Sequence, residues 1–129
     1  MYWEGWTLER WSVLFVSVAF LMIGIQVTLY HSRQNFRNKA MWVPVIEAPI
    51  FFLIGLLLTF SRTDGLVTLF MWMMGLAVLS GFIGFYFHTR GMSSRVGGWT
   101  MQNILIGPPI VLPLMLSALG GFGWLIFYL

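Results

Sequence analysis

The chain has 129 residues, of which 59% are hydrophobic and only 9% are charged. A soluble domain carries roughly 25% charged residues, so this composition excludes an ordinary water-soluble protein. In a lipid bilayer, apolar side chains face outward without cost, and a chain of this length predicts a single domain. Cysteine is absent, which excludes disulfides, thiolate catalysis and cysteine-bound metals.

The first half of the chain predicts a pair of membrane-spanning helices. Residues 11–30 form an uncharged apolar run, and about 20 helical residues are enough to cross a bilayer. A polar segment, 31–40, follows, and residues 41–60 form a second span with Glu47 as its one charge. The first ten residues carry Glu4 and Glu9 and lack the positive region of a signal peptide. We therefore expect the first helix to remain in the mature protein.

The second half of the chain repeats this plan. After a tight turn, residues 65–87 form an uncharged third span, and a basic, Gly- and Ser-rich loop leads to a final apolar run, 101–129. That last run is interrupted by Pro108, Pro109 and Pro113, each of which removes a helical hydrogen bond. The sequence thus predicts an all-α integral membrane four-helix bundle made of two helical hairpins, with spans at about 11–30, 41–60, 65–87 and 101–129.

The positions of the basic residues predict the orientation of the bundle. Two basic residues, Arg10 and Arg62, lie on one side of the predicted spans, and five lie in the two long loops on the other side: Arg33, Arg37, Lys39, Arg90 and Arg95. Because cytoplasmic loops are enriched in Lys and Arg, we expect these loops in the cytoplasm and both termini outside, in the cell (inner) membrane. The chain lacks the mixed basic and aromatic surface of a nucleic-acid binder, so the expected surroundings are the lipid bilayer.

The two hairpins share a short pattern that predicts an internal repeat. Gly24 and Gly81 each precede a histidine by seven residues, and His31-Ser32-Arg33 corresponds to His88-Thr89-Arg90. The returning helices match more loosely, with Glu47-Ala48-Pro49-Ile50 against Gly107-Pro108-Pro109-Ile110. Two interpretations remain open: duplication of a hairpin, or chance similarity in a chain rich in Leu, Ile, Phe and Gly.

The paired histidines are the first candidate site. Helical spacing places His31 on one face with Gly24, and His88 on one face with Gly81, and small residues favour close helix packing. One hypothesis is that His31 and His88 bind haem b or a metal ion, with Arg33, Arg90 and their neighbours near the propionates and the glycines leaving room for the macrocycle. The alternative is that both histidines cap helix ends at the membrane interface.

Glu47 is the second candidate site, because a carboxylate within an apolar span is usually turned toward the bundle interior. It is either a protonatable or cation-binding site, or it makes a structural ion pair or hydrogen bond, with Arg33, Arg37 and Lys39 as the basic residues within reach. Pro44 and Pro49 flank it, and such prolines either kink a helix or help to form the broken-helix sites of transporters.

Three functional hypotheses follow. The preferred one is an accessory or structural subunit of a larger membrane complex, with an electron-transport complex favoured, because the predicted loops are short and offer little besides contact surface. The second is an electron carrier that binds haem b or a quinone through His31 and His88. The third is a small proton- or ion-coupled transporter that uses Glu47. No nucleotide-binding or catalytic motif occurs in the sequence, so enzymatic activity is not expected, and the partners are membrane subunits or further copies of the chain.

Overall fold

The computed structural model describes residues 2–94 and 97–128, without the side chain at position 93. Within these residues the protein is all-helical and contains no strand. The helices are α1 (Leu8–Arg33), α2 (Trp42–Phe60), α3 (Asp64–Ser94), α4 (Met101–Ile106) and α5 (Val111–Leu125), with short 3-10 turns at Lys39–Met41 and Ile126–Tyr128. The predicted all-α fold is confirmed.

Four segments are long and apolar enough to cross a membrane: Leu8–Arg33, Lys39–Phe60, Asp64–Met92 and Val111–Tyr128. The fourth begins ten residues after the start of the predicted run 101–129, because the chain is not helical between α4 and α5. Gly107 is extended there, and the two prolines that follow disfavour helical conformation in the residues before them. Pro113 lies in the first turn of α5, where a missing N–H costs nothing because that group has no helical partner.

The helices form a ring in which α1 packs against α2, α2 against α3, α3 against α5 and α5 against α1, with the largest contacts within the two hairpins α1–α2 and α3–α5. The amino-terminal segment lies at the α2–α3 turn: the Trp3 indole N–H donates to the Leu58 carbonyl at 2.7 Å and Arg10 Nε donates to the Thr59 carbonyl at 2.9 Å. The Arg62 guanidinium lies over the Phe127 ring. Both ends of the described chain therefore lie at this end, which we call the turn end, and the two long loops lie at the opposite, loop end.

Small residues let the helices approach closely within each hairpin. A Cβ added at Gly24 would lie 2.8 Å from the Ala48 Cβ, and a Cβ added at Gly81 would lie 2.6 Å from the Pro113 carbonyl oxygen and from the Ser117 backbone nitrogen. Gly24 and Gly81 thus have equivalent packing roles. The returning helices depart from the predicted alignment, because Gly81 meets Pro113 and Ser117 instead of the Pro108-Pro109 pair.

Apolar side chains form both the core and the outer surface of the bundle. A buried core gathers mainly toward the turn end, from residues such as Phe20, Phe51 and Met74. The outer surface is also apolar: Trp72 is 75% exposed and Phe15 is 65% exposed. In water such a surface would be unfavourable, whereas in lipid it costs nothing. The chain is an integral membrane protein.

Candidate functional site

A cavity of about 470 Å³ lies at the loop end and receives side chains from all four spans. Its volume falls within the range of roughly 300–1,000 Å³ that is typical of small-molecule sites. The lining residues are mainly apolar, with polar side chains near the loops and one, Ser80, about two helical turns deeper than His88. The polar side chains near the loops are Tyr30, His31, Gln34, Asn38, His88, Arg90 and Ser94. Both predicted histidines therefore reach the same cavity.

The deeper walls of the cavity are apolar on α1, α3 and α5, apart from Ser80 on α3. Ile23 and Val27 contribute from α1, Ile83 from α3, and Leu112 and Leu116 from α5. These residues lie deeper in the bundle than the histidines, because each precedes His31 or His88 by at least one helical turn or follows the loop on α5. Apart from Ser80, the cavity thus changes from apolar inside the bundle to more polar near the loops, which suits a ligand with a polar head and an apolar body.

His31 is held by the first residues of its own hairpin's returning span. The ring is buried, and its Nδ1 lies 2.7 Å from the Met41 carbonyl oxygen. A carbonyl only accepts hydrogen bonds, so Nδ1 carries the proton, and the lone pair of the neutral ring is then on Nε2. The ring also lies nearly perpendicular to the ring of Phe36, with centroids 6.4 Å apart.

His88 has the equivalent role in the second hairpin. Its Nδ1 donates to the Pro109 carbonyl, in the non-helical segment just before α5. Each histidine thus fixes the start of the returning span, and this differs from capping of its own helix end: the His31 carbonyl is capped by the backbone N–H groups of Gln34 and Phe36. The correspondence of His31 with His88 in the sequence is matched by equivalent hydrogen bonds.

The predicted glycines lie outside the cavity, and of the two predicted arginines only Arg90 lines it. Gly24 and Gly81 do not line the cavity; the neighbouring helix fills the space beside each of them, so these glycines leave no room for a macrocycle. Arg90 and Arg33 are both exposed, and Arg90 lines the cavity whereas Arg33 does not. Arg95 lies outside the described residues. Among the described arginines, Arg90 is thus the one that lines the same cavity as the two histidines.

Glu47 is bound by a residue that the sequence analysis did not single out. The Ser80 hydroxyl on α3 donates to Glu47 Oε1 on α2 at 2.7 Å, and the second carboxylate oxygen, Oε2, is buried with no hydrogen-bond partner among the described residues. The described ion pair of the protein joins Arg62 to Glu9 at the turn end. Of the two structural alternatives for Glu47, the hydrogen bond is present, whereas an ion pair with the loop arginines or Lys39 is absent from the described part of the chain, where the Arg37 guanidinium donates to Gln34.

Several lining residues were accessible to sequence reasoning and others were not. Gln34 lies one turn after His31 on the same helix face, and Gly91 stands in the same relation to His88, so the face could have been extended to them. Ser80 gave no local signal, because a serine in an apolar span is common and its partner Glu47 is 33 residues away.

Metal binding at the histidines stays a prediction. Within the described ranges, no three His, Cys, Asp or Glu side chains gather closely enough to hold a metal ion, so His31 and His88 would be the protein's contribution. Comparisons with protein-family models, with curated proteins and with solved structures gave no match to this chain. The site is therefore interpreted from its own geometry.

Proposed function

We propose that this protein binds a membrane quinone in the loop-end cavity and acts as a quinone-binding subunit of a membrane electron-transport complex. The observation that carries the proposal is the cavity itself, which is mainly apolar within the bundle, with Ser80 as its polar residue there, and polar where His31, His88 and Arg90 line it. A quinone has the same polarity, with two carbonyl oxygens on a flat ring and an apolar tail. The Arg90 guanidinium supplies hydrogen-bond donors for a carbonyl oxygen, and such charged bonds are stronger than neutral ones.

Access from the bilayer supports this choice of ligand. Val43 on α2 and Ile83 and Phe87 on α3 line the cavity and are also 45%, 49% and 39% exposed. These side chains connect the cavity with the lipid-facing surface on the α2 and α3 side. A quinone tail can extend along this apolar route while its head stays beside the polar residues, so the ligand need not enter through water.

Binding of a short-tailed quinone tests the proposal. The purified protein in lipid nanodiscs is titrated with ubiquinone-1, and binding is measured by calorimetry. Arg90→Gln should weaken binding about tenfold, because a lost charged hydrogen bond costs roughly 1.5 kcal/mol or more. Arg33→Gln is the matched control: it removes the same charge at the corresponding position outside the cavity and should leave binding within about twofold. Absence of saturable binding, or equal losses in both variants, contradicts the proposal.

Membership of a larger membrane complex is proposed because little of the described chain lies outside the four spans. The four spans take up most of the described chain, so contacts with partner subunits fall on lipid-facing helix surfaces. Extraction in a mild detergent followed by size-exclusion chromatography tests this step. A co-purifying membrane partner supports it, and a stable monomer with no partner contradicts it.

The proposed orientation places the loop end toward the cytoplasm of the cell (inner) membrane and both termini outside. It rests on the excess of Lys and Arg in the two long loops. The quinone head would then lie near the cytoplasmic leaflet. A reporter that is active only in the cytoplasm should be active when it is fused after residue 38 or residue 98. An inactive reporter at both positions would overturn the orientation.

Two alternative functions, haem b binding and proton- or ion-coupled transport, are each supported by a specific observation. Haem b is supported by the two Nδ1–H donations to backbone carbonyls, which orient imidazoles in the way that metal-ligating histidines are oriented. A Soret band in protein from haem-sufficient cells, lost in His31→Ala, would favour haem over the quinone. A proton- or ion-coupled transporter is supported by the buried Oε2 of Glu47. Flux into liposomes that is abolished in Glu47→Gln would favour it.

A further inference from the structure

Glu47 stands directly behind the wall of the cavity. Ser80 lines the cavity, and the same hydroxyl donates to Glu47 Oε1 at 2.7 Å. Ser80 belongs to the second hairpin and Glu47 to the first, so this hydrogen bond links the two hairpins at the boundary of the cavity. A change at the carboxylate can therefore reach a ligand through one hydroxyl group.

The direction of this hydrogen bond determines what Ser80 offers to a ligand. A hydroxyl has one proton, and in the structure that proton is used by Glu47. What remains for the cavity is a lone pair on Oγ, which accepts a hydrogen bond but cannot bond a quinone carbonyl, itself an acceptor. A ligand that bears an O–H group, such as a quinol, fits this state.

Protonation of Glu47 reverses the arrangement. A neutral carboxyl group has its own O–H, which can donate to Ser80 Oγ and release the serine proton toward the cavity. The carboxylate is otherwise uncompensated in the described structure, because Oε2 is buried without a hydrogen-bond partner. A proton on this group removes a charge that no described counter-ion balances.

We propose that Glu47 and Ser80 form a proton-coupled switch that sets which form of the ligand the cavity binds. With Glu47 ionised, Ser80 accepts and the cavity favours a quinol. With Glu47 protonated, Ser80 donates and the cavity favours a quinone. One proton passes from solvent to Glu47 when a quinone binds, and no electron is transferred in this step. The inference rests on the proposed quinone binding.

The test must separate Glu47 from the other titratable or charged groups of the cavity, which are Tyr30 and His31 on α1 and His88 and Arg90 on α3. Calorimetric titration with ubiquinone-1 in buffers of different ionisation enthalpy measures the protons taken up for each quinone bound. The wild-type protein should take up about one proton, and its affinity should rise up to tenfold for each pH unit lowered while Glu47 titrates.

The variants then assign the proton. Glu47→Gln should still bind the quinone, because the amide N–H₂ donates to Ser80, but it should take up no proton. Ser80→Ala should bind more weakly and lose the proton uptake, and Ser80→Thr, which keeps the hydroxyl, should retain both. Circular dichroism and size-exclusion chromatography confirm that each variant is folded.

The outcomes distinguish this inference from the function on which it rests. If ubiquinone-1 binds the wild-type protein without proton uptake, or if Glu47→Gln takes up the proton as the wild type does, the switch is refuted and the cavity remains a quinone site. If ubiquinone-1 does not bind at any pH, quinone binding itself is refuted.

Discussion

Gly81 offers a sharp test of how the second hairpin is packed. In Gly81→Ala, the new Cβ would lie 2.0 Å from the Ser117 hydroxyl oxygen, and 2.6 Å from both the Pro113 carbonyl oxygen and the Ser117 backbone nitrogen. A side chain can rotate away from such a contact, but the two backbone atoms of α5 cannot. The helices α3 and α5 must therefore move apart.

The size of the effect follows from these distances. Ordinary contacts begin near 3.4 Å, so α5 must retreat by about 0.8 Å from the two backbone atoms, and overpacking of this kind costs roughly 1–3 kcal/mol. Gly75 on the same helix is the control, because a Cβ there meets nothing within 4 Å. Both substitutions gain the same helix propensity, up to about 1 kcal/mol, so the difference between the two variants isolates the packing cost.

Unfolding in mixed micelles measures this difference. The helical circular dichroism signal is followed as the mole fraction of sodium dodecyl sulfate rises in dodecyl maltoside. Gly81→Ala should unfold at a lower fraction than Gly75→Ala, by the equivalent of about 1–3 kcal/mol. Equal stability of the two variants would show that α3 and α5 do not meet at Gly81, and the packing described for the second hairpin would be wrong.

Three further predictions concern the other contacts. Gly24→Ala should lower the free energy of unfolding by about 1–2 kcal/mol, and the double variant that also carries Ala48→Gly should recover much of this loss. Absence of recovery would contradict the contact between positions 24 and 48. His31→Ala should cost about 1–2 kcal/mol by leaving a backbone carbonyl without its donor, and an unchanged midpoint in the same micelle assay would argue against that bond. Arg62→Gln breaks the partly exposed pair with Glu9 and should cost less than about 1 kcal/mol, with a smaller effect in high salt. A larger, salt-independent loss would show that Arg62 stabilises the fold mainly through other contacts, such as its contact with the Phe127 ring.

The candidate site was partly predictable because helical periodicity is a local property. His31 and His88 stand at corresponding places in two similar segments, and that pattern indicated correctly that they lie at the same end of the bundle. The break before the fourth span followed from Pro108 and Pro109, whose effect on the backbone is also local. The fourth span nevertheless begins later than predicted, since apolar composition alone did not separate α4 from α5.

The partners of these residues were not predictable, because they depend on how the helices are rotated against each other. Several basic residues lie near Glu47 in the sequence, yet the carboxylate accepts its hydrogen bond from Ser80 on the other hairpin. The space beside Gly24 and Gly81, where a ligand was expected, is instead filled by the neighbouring helices. A shift of helix rotation by one residue would redirect each of these groups while leaving the hydrophobic pattern unchanged.

By itself, the sequence determined that this is a membrane protein of four apolar helices, because the hydrophobic content and the length of each run are set by the solvent and by the thickness of the bilayer. Only the tertiary structure decided that the bundle is packed at the turn end and open at the loop end. That difference arises from contacts between residues far apart in the chain, with the large buried side chains toward one end and the prolines and polar groups around the cavity at the other.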